Sequence, residues 1–117
     1  MAVDWMPFPV IGLGETSPHK PFFVRVEGDS MIGANINDGC MVAINPNVEV
    51  RNGDIVYARW LGRCSIKGFI NNGKQIELRP ANPNYKSIWI PKEDWEELEI
   101  IGKVMRILNI ETPGSIL

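Results

Sequence analysis

The chain has 117 residues, of which 44% are hydrophobic and 22% are charged, and this composition is usual for one compact domain. A chain of this length buries roughly two thirds of its unfolded surface, so we expect it to fold without a disulfide or a structural metal. The formal net charge of -2 gives no overall positive field, which argues against direct binding of nucleic acid or of an anionic membrane. No run approaches the roughly 18 apolar residues of a membrane span, and we expect a soluble protein.

The two cysteines, Cys40 and Cys64, are too few and too isolated for a secreted disulfide scaffold. No CxxC motif or cysteine–histidine cluster offers the spacing of a metal site. We therefore expect no metal, no cofactor and a cytoplasmic location, with both thiols reduced and packed as small core residues.

Residues 1–21 are rich in proline and glycine, which break helices and sheet ladders, and are predicted to form an N-terminal arm. Apolar residues such as Trp5 and Phe8 predict that this arm docks on the domain instead of hanging free. Residues 22–110 are predicted to form the folded domain, and residues 111–117 a loose C-terminal tail.

From Phe22 onwards, short β-rich runs are separated by turn residues, which is typical of a mostly β domain. The predicted strands are Phe22–Val26, Cys40–Ile44, Asp54–Trp60, Arg63–Ile70, Gln75–Pro80, Ile88–Ile90 and Ile100–Ile107. Asn72-Gly73 predicts a hairpin, because Asn-Gly suits the twist of a tight connection. Helix is predicted only as short turns, at Ser30–Ala34 and Lys92–Leu98.

Ser30 lies where a predicted strand runs straight into a glycine-containing corner, within Phe23–Met31. A serine held at such a corner exposes its Oγ, and free backbone N–H groups of the next turn can stabilise an oxyanion. The same pattern also fits an ordinary helix cap, whose hydroxyl only satisfies a backbone donor. The local sequence leaves both interpretations open.

A nucleophilic serine needs a base, and the single histidine, His19, lies in the proline-rich arm, where a Ser-His-Asp triad is difficult to build. A lysine can serve instead if burial lowers its pKa so that the neutral amine is available near neutrality. Lys67 is the candidate, because it lies inside a β-rich run. Strand alternation places Ser65, Lys67 and Phe69 on one face but does not say which face is buried, and a strand lysine is also common at a solvated edge.

The segment Phe23–Met31, which ends in Gly-Asp-Ser-Met, resembles the nucleophile segment of the peptidase domains of LexA, UmuD and phage repressors. Ser65-Ile66-Lys67 falls where that family carries its lysine. Further similarities follow in chain order, at Ile36–Gly39, Val50–Arg59, Leu78–Tyr85 and Ile101–Val104. The resemblance spans about residues 22–108.

This resemblance implies a mostly β, LexA C-terminal-like strand fold with short helical turns, and a serine endopeptidase with a Ser/Lys dyad. In such a site neutral Lys67 takes the proton of Ser30, Ser30 attacks a peptide carbonyl, and backbone N–H groups of Asp29 and Ser30 hold the oxyanion. The implied substrate is a peptide or the protein's own cleavage loop, bound in extended form. The resemblance also implies a homodimer through Ile100–Leu108 and leaves open whether a recombinase filament acts as co-activator.

The chain departs from the family pattern in its cleavage site. Family members that cut themselves usually do so at Ala-Gly or Cys-Gly, and neither dipeptide occurs here, so self-cleavage within these residues is not expected. We expect the C-terminal half of a LexA-like transcriptional repressor that mediates autoproteolysis and dimerisation; a stand-alone peptidase that acts on another chain is the alternative. Ile11-Gly12 and Leu13-Gly14 are either remnants of a cleavage region or bends in the arm. Cys40 stands where relatives often have aspartate, and we expect it to be structural.

Two other classes of function stay open. A catalytically silent dimerisation or effector-sensing module would keep the fold without turnover, and the missing scissile dipeptide favours it. A small β domain that binds nucleic acid would use aromatic side chains as stacking surfaces, although here they come without a basic stripe. The candidates are Trp5, Trp60, Trp89 and Trp95.

Overall fold

The computed structural model describes the backbone of residues 2–7 and all of residues 20–108. In this part of the chain the strands are β1 Ala2–Pro7, β2 Phe22–Val26, β3 Met41–Asn45, β4 Ile55–Trp60, β5 Arg63–Asn71, β6 Gln75–Arg79, β7 Ile88–Pro91 and β8 Glu99–Leu108. Two short 3₁₀ helices are Ile32–Ala34 and Lys92–Glu97. The mostly β fold with short helical turns is confirmed, with small shifts at the ends of the predicted elements.

The strands form one antiparallel sheet in the order β1-β2-β3-β8-β4-β5-β6-β7. Strand β8 returns to the middle of the sheet, where its first half pairs with β4 and its second half with β3. Gly102 permits this close approach, because an added Cβ would lie 2.6 Å from Ile44 Cγ2. The last strand therefore joins the two halves of the sheet.

Apolar side chains of the strands pack into two core clusters. The first cluster contains Val24, Val26, Met31, Ile36, Cys40, Val42, Ile44, Tyr57 and Ile66. The second contains Val56, Ala58, Ile76, Leu78 and Ile90. Both faces of β5 are covered, because Ile66 belongs to the first cluster while Lys67 lies opposite Val56 on the other face. Lys67 is therefore not a solvated edge lysine.

The predicted hairpin at Asn72-Gly73 is confirmed between β5 and β6. The side-chain Oδ1 of Asn72 accepts hydrogen bonds from the backbone N–H groups of Lys74 and Gln75, each at 2.8 Å. Gly73 follows with φ 90°, a backbone conformation that favours glycine.

The start of the N-terminal arm forms a strand, and the prediction that its prolines and glycines exclude a ladder is wrong for residues 2–7. Strand β1 pairs antiparallel with β2, with Met6 opposite Phe23. Because β1 lies at the edge of the sheet and Pro7 ends it, that proline removes no central ladder hydrogen bond. The arm thus docks on the domain through these residues.

Several sequence predictions fall outside the described residues, namely those for His19, Ile11-Gly12, Leu13-Gly14 and the tail 111–117. The domain boundaries after residues 21 and 110 stay predictions. None of the helices in the described part of the chain is long and apolar enough to cross a membrane.

Candidate active site

The corner that precedes Ser30 is fixed by hydrogen bonds from a neighbouring turn. Gly28 turns the chain with φ 97°, which favours glycine, and its N–H donates to Asp38 Oδ1 at 2.7 Å. The N–H of Gly39 donates to the carbonyl of Val26 at 2.7 Å, at the end of β2. The strand, the corner and the short helical turn predicted around Ser30 are all present, with Ser30 directly after the corner.

Ser30, which follows β2, and Lys67, in the middle of β5, come from different elements and are in contact. The distance between Ser30 Oγ and Lys67 Nζ is 3.1 Å, and Nζ also donates to the carbonyl of Ile66 at 3.1 Å. Each of the two residues is 8% exposed. The 3₁₀ helix that follows begins at Ile32, and the residue at its N-cap position is Met31, which makes no side-chain cap. The Ser30 hydroxyl is therefore paired with an amine, as in a nucleophile–base pair, and not used as a helix cap.

Burial lowers the pKa of Lys67 below the ordinary value for lysine, because the cavity wall removes the water that would solvate the ammonium group. A carboxylate beside the amine would act in the opposite direction. Within residues 20–108 no carboxylate forms an ion pair with Lys67. The surroundings therefore favour the neutral amine, which is the form that can accept a proton.

The loop between β6 and β7 holds the backbone around Ser30. The N–H of Ala81 donates to the carbonyl of Ser30 at 2.8 Å, and the N–H of Gly33 donates back to the carbonyl of Ala81 at 2.7 Å. These reciprocal bonds fix the 3₁₀ turn against the loop.

Two side chains of the same loop hold Asp29. Asn82 Nδ2 donates to the carbonyl of Asp29 at 2.8 Å, and the Tyr85 hydroxyl donates to Asp29 Oδ1. The hydrogen bond to Asp29 raises the pKa of Tyr85. The sequence alone does not assign a role to Asn82 or Tyr85. The available signal was the turn-forming Asn82-Pro83-Asn84, which predicts a corner but not what the corner contacts.

The two backbone N–H groups predicted to hold the oxyanion belong to Asp29 and Ser30. Within the part of the chain that the structure describes, neither group donates to a protein acceptor. An unpaired N–H next to a nucleophile can receive a developing negative charge.

A cavity of about 400 Å³ opens beside Ser30 and Lys67. Its wall also includes Glu27, Gly28, Asp29, Trp60, Leu61, Arg63, Ser65, Tyr85 and Ile88. Leu61 lies at a hairpin tip with φ 54° and is 75% exposed, so an apolar side chain stands at the mouth of the cavity. The wall thus combines apolar side chains such as Trp60, Leu61 and Ile88 with polar groups, and a ligand site commonly has both.

Of the two cysteines predicted to be small core residues, Cys40 lies in the core and Cys64 lies at its edge. Cys40 is 3% exposed within the first core cluster, and burial raises the pKa of its thiol. Cys64 is part-buried and packs against the same cluster.

Two of the four tryptophans considered for nucleic-acid stacking take part in core packing. Trp60 and Trp95 pack against the second core cluster, and Trp95 Nε1 donates to the carbonyl of Ile90 at 3.0 Å. Trp89 is 53% exposed on β7. The packing of Trp60 and Trp95 gives the stacking hypothesis no support, and the side chain of Trp5 lies outside the part of the chain that the structure describes.

Comparison with known proteins agrees with this geometry. The peptidase S24-like family model matches residues 4–105. The LexA repressor of Desulfatibacillum aliphaticivorans is 48% identical over 88 residues, which are 75% of this chain and 43% of that protein. The LexA repressor of Geobacter sp. strain M21 is 43% identical over 86 residues, 74% of this chain and 42% of that protein. The LexA repressor of Thermotoga neapolitana is 36% identical over 94 residues, 80% of this chain and 46% of that protein.

The matched region thus spans less than half the length of these relatives. The family match covers most of the chain and includes the corner before Ser30, strand β5 with Lys67, and the β6–β7 loop that holds Asp29. The chain belongs to the peptidase S24-like family.

Proposed function

We propose that this chain is a serine endopeptidase domain that cuts a peptide bond with Ser30 as nucleophile and Lys67 as general base. The observation that supports this most strongly is the 3.1 Å contact between Ser30 Oγ and Lys67 Nζ. It occurs in a buried place where the pKa of the lysine is lowered. A deprotonated amine at hydrogen-bond distance is what a serine hydroxyl needs to become nucleophilic.

The first half of the reaction forms an acyl-enzyme. Neutral Lys67 accepts the proton of Ser30 Oγ while the oxygen attacks the carbonyl carbon of the scissile bond. The carbonyl oxygen becomes an oxyanion, which the N–H groups of Asp29 and Ser30 stabilise. The intermediate collapses, the C–N bond breaks, and the leaving amine takes the proton from the Lys67 ammonium.

The second half releases the new carboxyl end. A water molecule gives a proton to neutral Lys67 and attacks the acyl carbon, again with the oxyanion on the two N–H groups. The bond from carbon to Ser30 Oγ breaks, and Oγ takes the proton back from Lys67. No net proton is gained or lost by the dyad, which is ready for another bond.

The relatives support a role inside a repressor. They are named LexA repressors, and this chain spans less than half their length. We infer that in a whole protein of this kind the domain mediates autoproteolysis of a LexA-like transcriptional repressor. Because neither Ala-Gly nor Cys-Gly occurs in the sequence, the bond to be cut is proposed to lie outside these 117 residues.

An unpaired sheet edge supports self-association. Residues 104–108 of β8 pair with β3 on one side, whereas the pairing with β4 ends at Lys103. In the described part of the chain no strand pairs with their other backbone edge. In the same segment Met105 is 50% and Leu108 38% exposed. A free strand edge with apolar side chains is a template for a second strand. We infer a homodimer through this edge, which lies within the predicted Ile100–Leu108.

The proposed activity is tested with a synthetic peptide that contains an Ala-Gly bond, supplied to the chain at alkaline pH and analysed by mass spectrometry. Ser30→Ala and Lys67→Ala should each lower the cleavage rate by about 10³-fold or more, because each removes half of the dyad. Lys74→Ala, which changes an exposed lysine of the β5–β6 turn, is the matched control and should cleave like the wild type. Cleavage that survives in either dyad variant would reject the mechanism, and no cleavage by the wild type would favour a silent module.

A further inference from the structure

Asn82 is a buried polar residue of the β6–β7 loop that uses both ends of its side chain. It is 6% exposed. Nδ2 donates to the carbonyl of Asp29 at 2.8 Å, and Oδ1 accepts from the N–H of Asn84 at 2.9 Å. Because the Oδ1 end is engaged by a backbone donor, the amide cannot turn over without losing both bonds. The Nδ2 end is thus kept toward Asp29.

The bond to Asp29 has a geometric consequence for Ser30. The carbonyl of Asp29 and the N–H of Ser30 belong to the same peptide unit, and in a trans peptide these two groups point in opposite directions. A carbonyl held toward Asn82 therefore directs the N–H of Ser30 away from Asn82. In the described residues this N–H has no acceptor, and both Asp29 and Ser30 line the cavity.

The opposite orientation of this peptide would be harmful. A rotated unit would present the carbonyl oxygen of Asp29 where the oxyanion develops, and two negative partial charges would repel each other. The backbone before the unit includes Gly28, whose positive φ makes the corner conformationally permissive. The carbonyl of Asp29 accepts from two donors, Asn82 Nδ2 at 2.8 Å and the N–H of Ile32 at 3.4 Å. The shorter contact, from Asn82, is a direct means of selecting one of the two orientations.

We propose that Asn82 is a positioning residue that presets the oxyanion site by holding the Asp29–Ser30 peptide with its N–H toward the cavity. The inference rests on the proposed peptidase function. The side chain of Asn82 forms hydrogen bonds with Asp29 and Asn84, and the contacts of Ser30 Oγ and Lys67 Nζ are with each other and with Ile66. The effect of Asn82 is on transition-state stabilisation, while the dyad and the binding of substrate stay as they are.

The test compares Asn82→Ala with the wild type in the full chain, using the Ala-Gly peptide and a peptide boronic acid that ends in the boron analogue of alanine. A boronate bonded to Ser30 Oγ places an oxygen in the oxyanion site. We expect kcat to fall about 100-fold and the boronate to bind about 100-fold more weakly, with KM within about twofold of the wild type. The pH midpoint of cleavage should not move, because the burial of Lys67 is unchanged. Asn84→Ala, an exposed neighbour, is the control and should keep the wild-type rate.

A second variant, Asn82→Asp, tests the same proposal if Asn82→Ala does not fold. Asn82→Asp keeps the shape and the bond from the N–H of Asn84 but has no donor for Asp29 at alkaline pH, so it should show the same loss of kcat. A folded variant of either kind with the kcat of the wild type overturns the proposal. In Asn82→Ala, a loss of kcat accompanied by a higher pH midpoint also overturns it, since no charge has been added and that pattern means that the lysine site itself has loosened.

The dyad variants separate this inference from the function on which it rests. If Ser30→Ala and Lys67→Ala are inactive while Asn82→Ala and Asn82→Asp cleave normally, only the positioning role fails. If the wild type cuts no peptide, or if the dyad variants still cut it, the proposed function fails and the positioning role fails with it.

Discussion

Lys67 places a titratable amine where water cannot solvate its positive charge, and this lowers its pKa in the folded chain. In the unfolded chain the pKa of Lys67 has its ordinary, higher value. At pH values between the two pKa values, the unfolded chain therefore still holds a proton that the folded chain has released. Unfolding then binds a proton, so folding stability rises with pH through this window. The stability is greatest above the unfolded pKa and is lost as the pH falls through the folded pKa.

Replacing the amine by an apolar chain of similar length should remove this dependence. We expect Lys67→Met to be more stable than the wild type at about pH 7, by about 1.4 kcal/mol for each unit that separates the two pKa values. The advantage should shrink as the pH rises toward about 10.4, where the unfolded lysine also loses its proton. Urea unfolding at several pH values measures this. Lys74→Met is the exposed control, and a Lys67→Met advantage that does not change with pH would contradict the account.

At the scale of elements, the site depends on the contact between the nucleophile turn and the β6–β7 loop. Gly33 donates its N–H to the carbonyl of Ala81 at 2.7 Å. A Cβ at residue 33 would lie 2.6 Å from that same oxygen, closer than such atoms can approach. The position therefore requires glycine for space, so that the loop can reach Asp29 and Ser30.

Gly33→Ala should push the loop away from the turn. We expect the free energy of unfolding to fall by about 1–3 kcal/mol, as for other overpacked sites, and the cleavage rate to fall with it. Gly68→Ala is the matched control for stability, since a Cβ at residue 68 would lie 3.4 Å from its nearest neighbour, the carbonyl oxygen of Arg79. Chemical denaturation measures both variants. A Gly33→Ala chain as stable and as active as the wild type would show that the contact is not needed.

At the scale of the whole molecule, β8 connects the half of the sheet that leads to Ser30 with the half that carries Lys67, and it exposes one edge. The first residues of β8 pair with β4, whose other neighbour is β5, the strand of Lys67. Its last residues pair with β3, whose other neighbour is β2, the strand that leads to Ser30. The exposed edge of residues 104–108 also belongs to β8. Association through it would stabilise the central part of the sheet in both protomers.

A charge on this edge should disfavour the dimer. We expect Met105→Lys to raise the dissociation constant about tenfold or more, because a lysine opposite its symmetry mate repels and interrupts apolar contact. Sedimentation equilibrium over a range of concentrations measures this. Trp89→Lys changes a similarly exposed apolar residue on β7 and should leave association unchanged. Equal association of both variants, or a monomeric wild type at every concentration, would reject this interface.

The strands from Phe22 onwards could be predicted from sequence because their signals are local. Alternating apolar residues between turns such as Asn72-Gly73 indicate a strand without knowledge of its partners. Strand β1 could not be predicted in this way, because its pairing with β2 outweighs the proline and glycine content of the arm. The position of β8 between β3 and β4 depends equally on long-range pairing.

In the candidate site, too, residues with a local sequence signal could be predicted, and residues whose contacts form only on folding could not. Ser30 and Lys67 could be singled out from residue types and from the family resemblance, and the structure brings their side chains together. Their catalytic roles, and those of the N–H groups of Asp29 and Ser30, stay predictions. Asn82 could not be found, since its function depends on which carbonyl it faces after folding.

The protonation of Lys67 tests the central claim most directly. A chain labelled with ¹³C at the lysine ε-carbons, assigned by comparison with Lys67→Ala, can be titrated by NMR in parallel with cleavage of the Ala-Gly peptide. The account predicts that the Lys67 signal titrates with a pKa below the ordinary lysine value of 10.5 and that cleavage rises over the same pH range. A Lys67 pKa at or above that ordinary value, or a cleavage profile that does not follow it, would contradict the account.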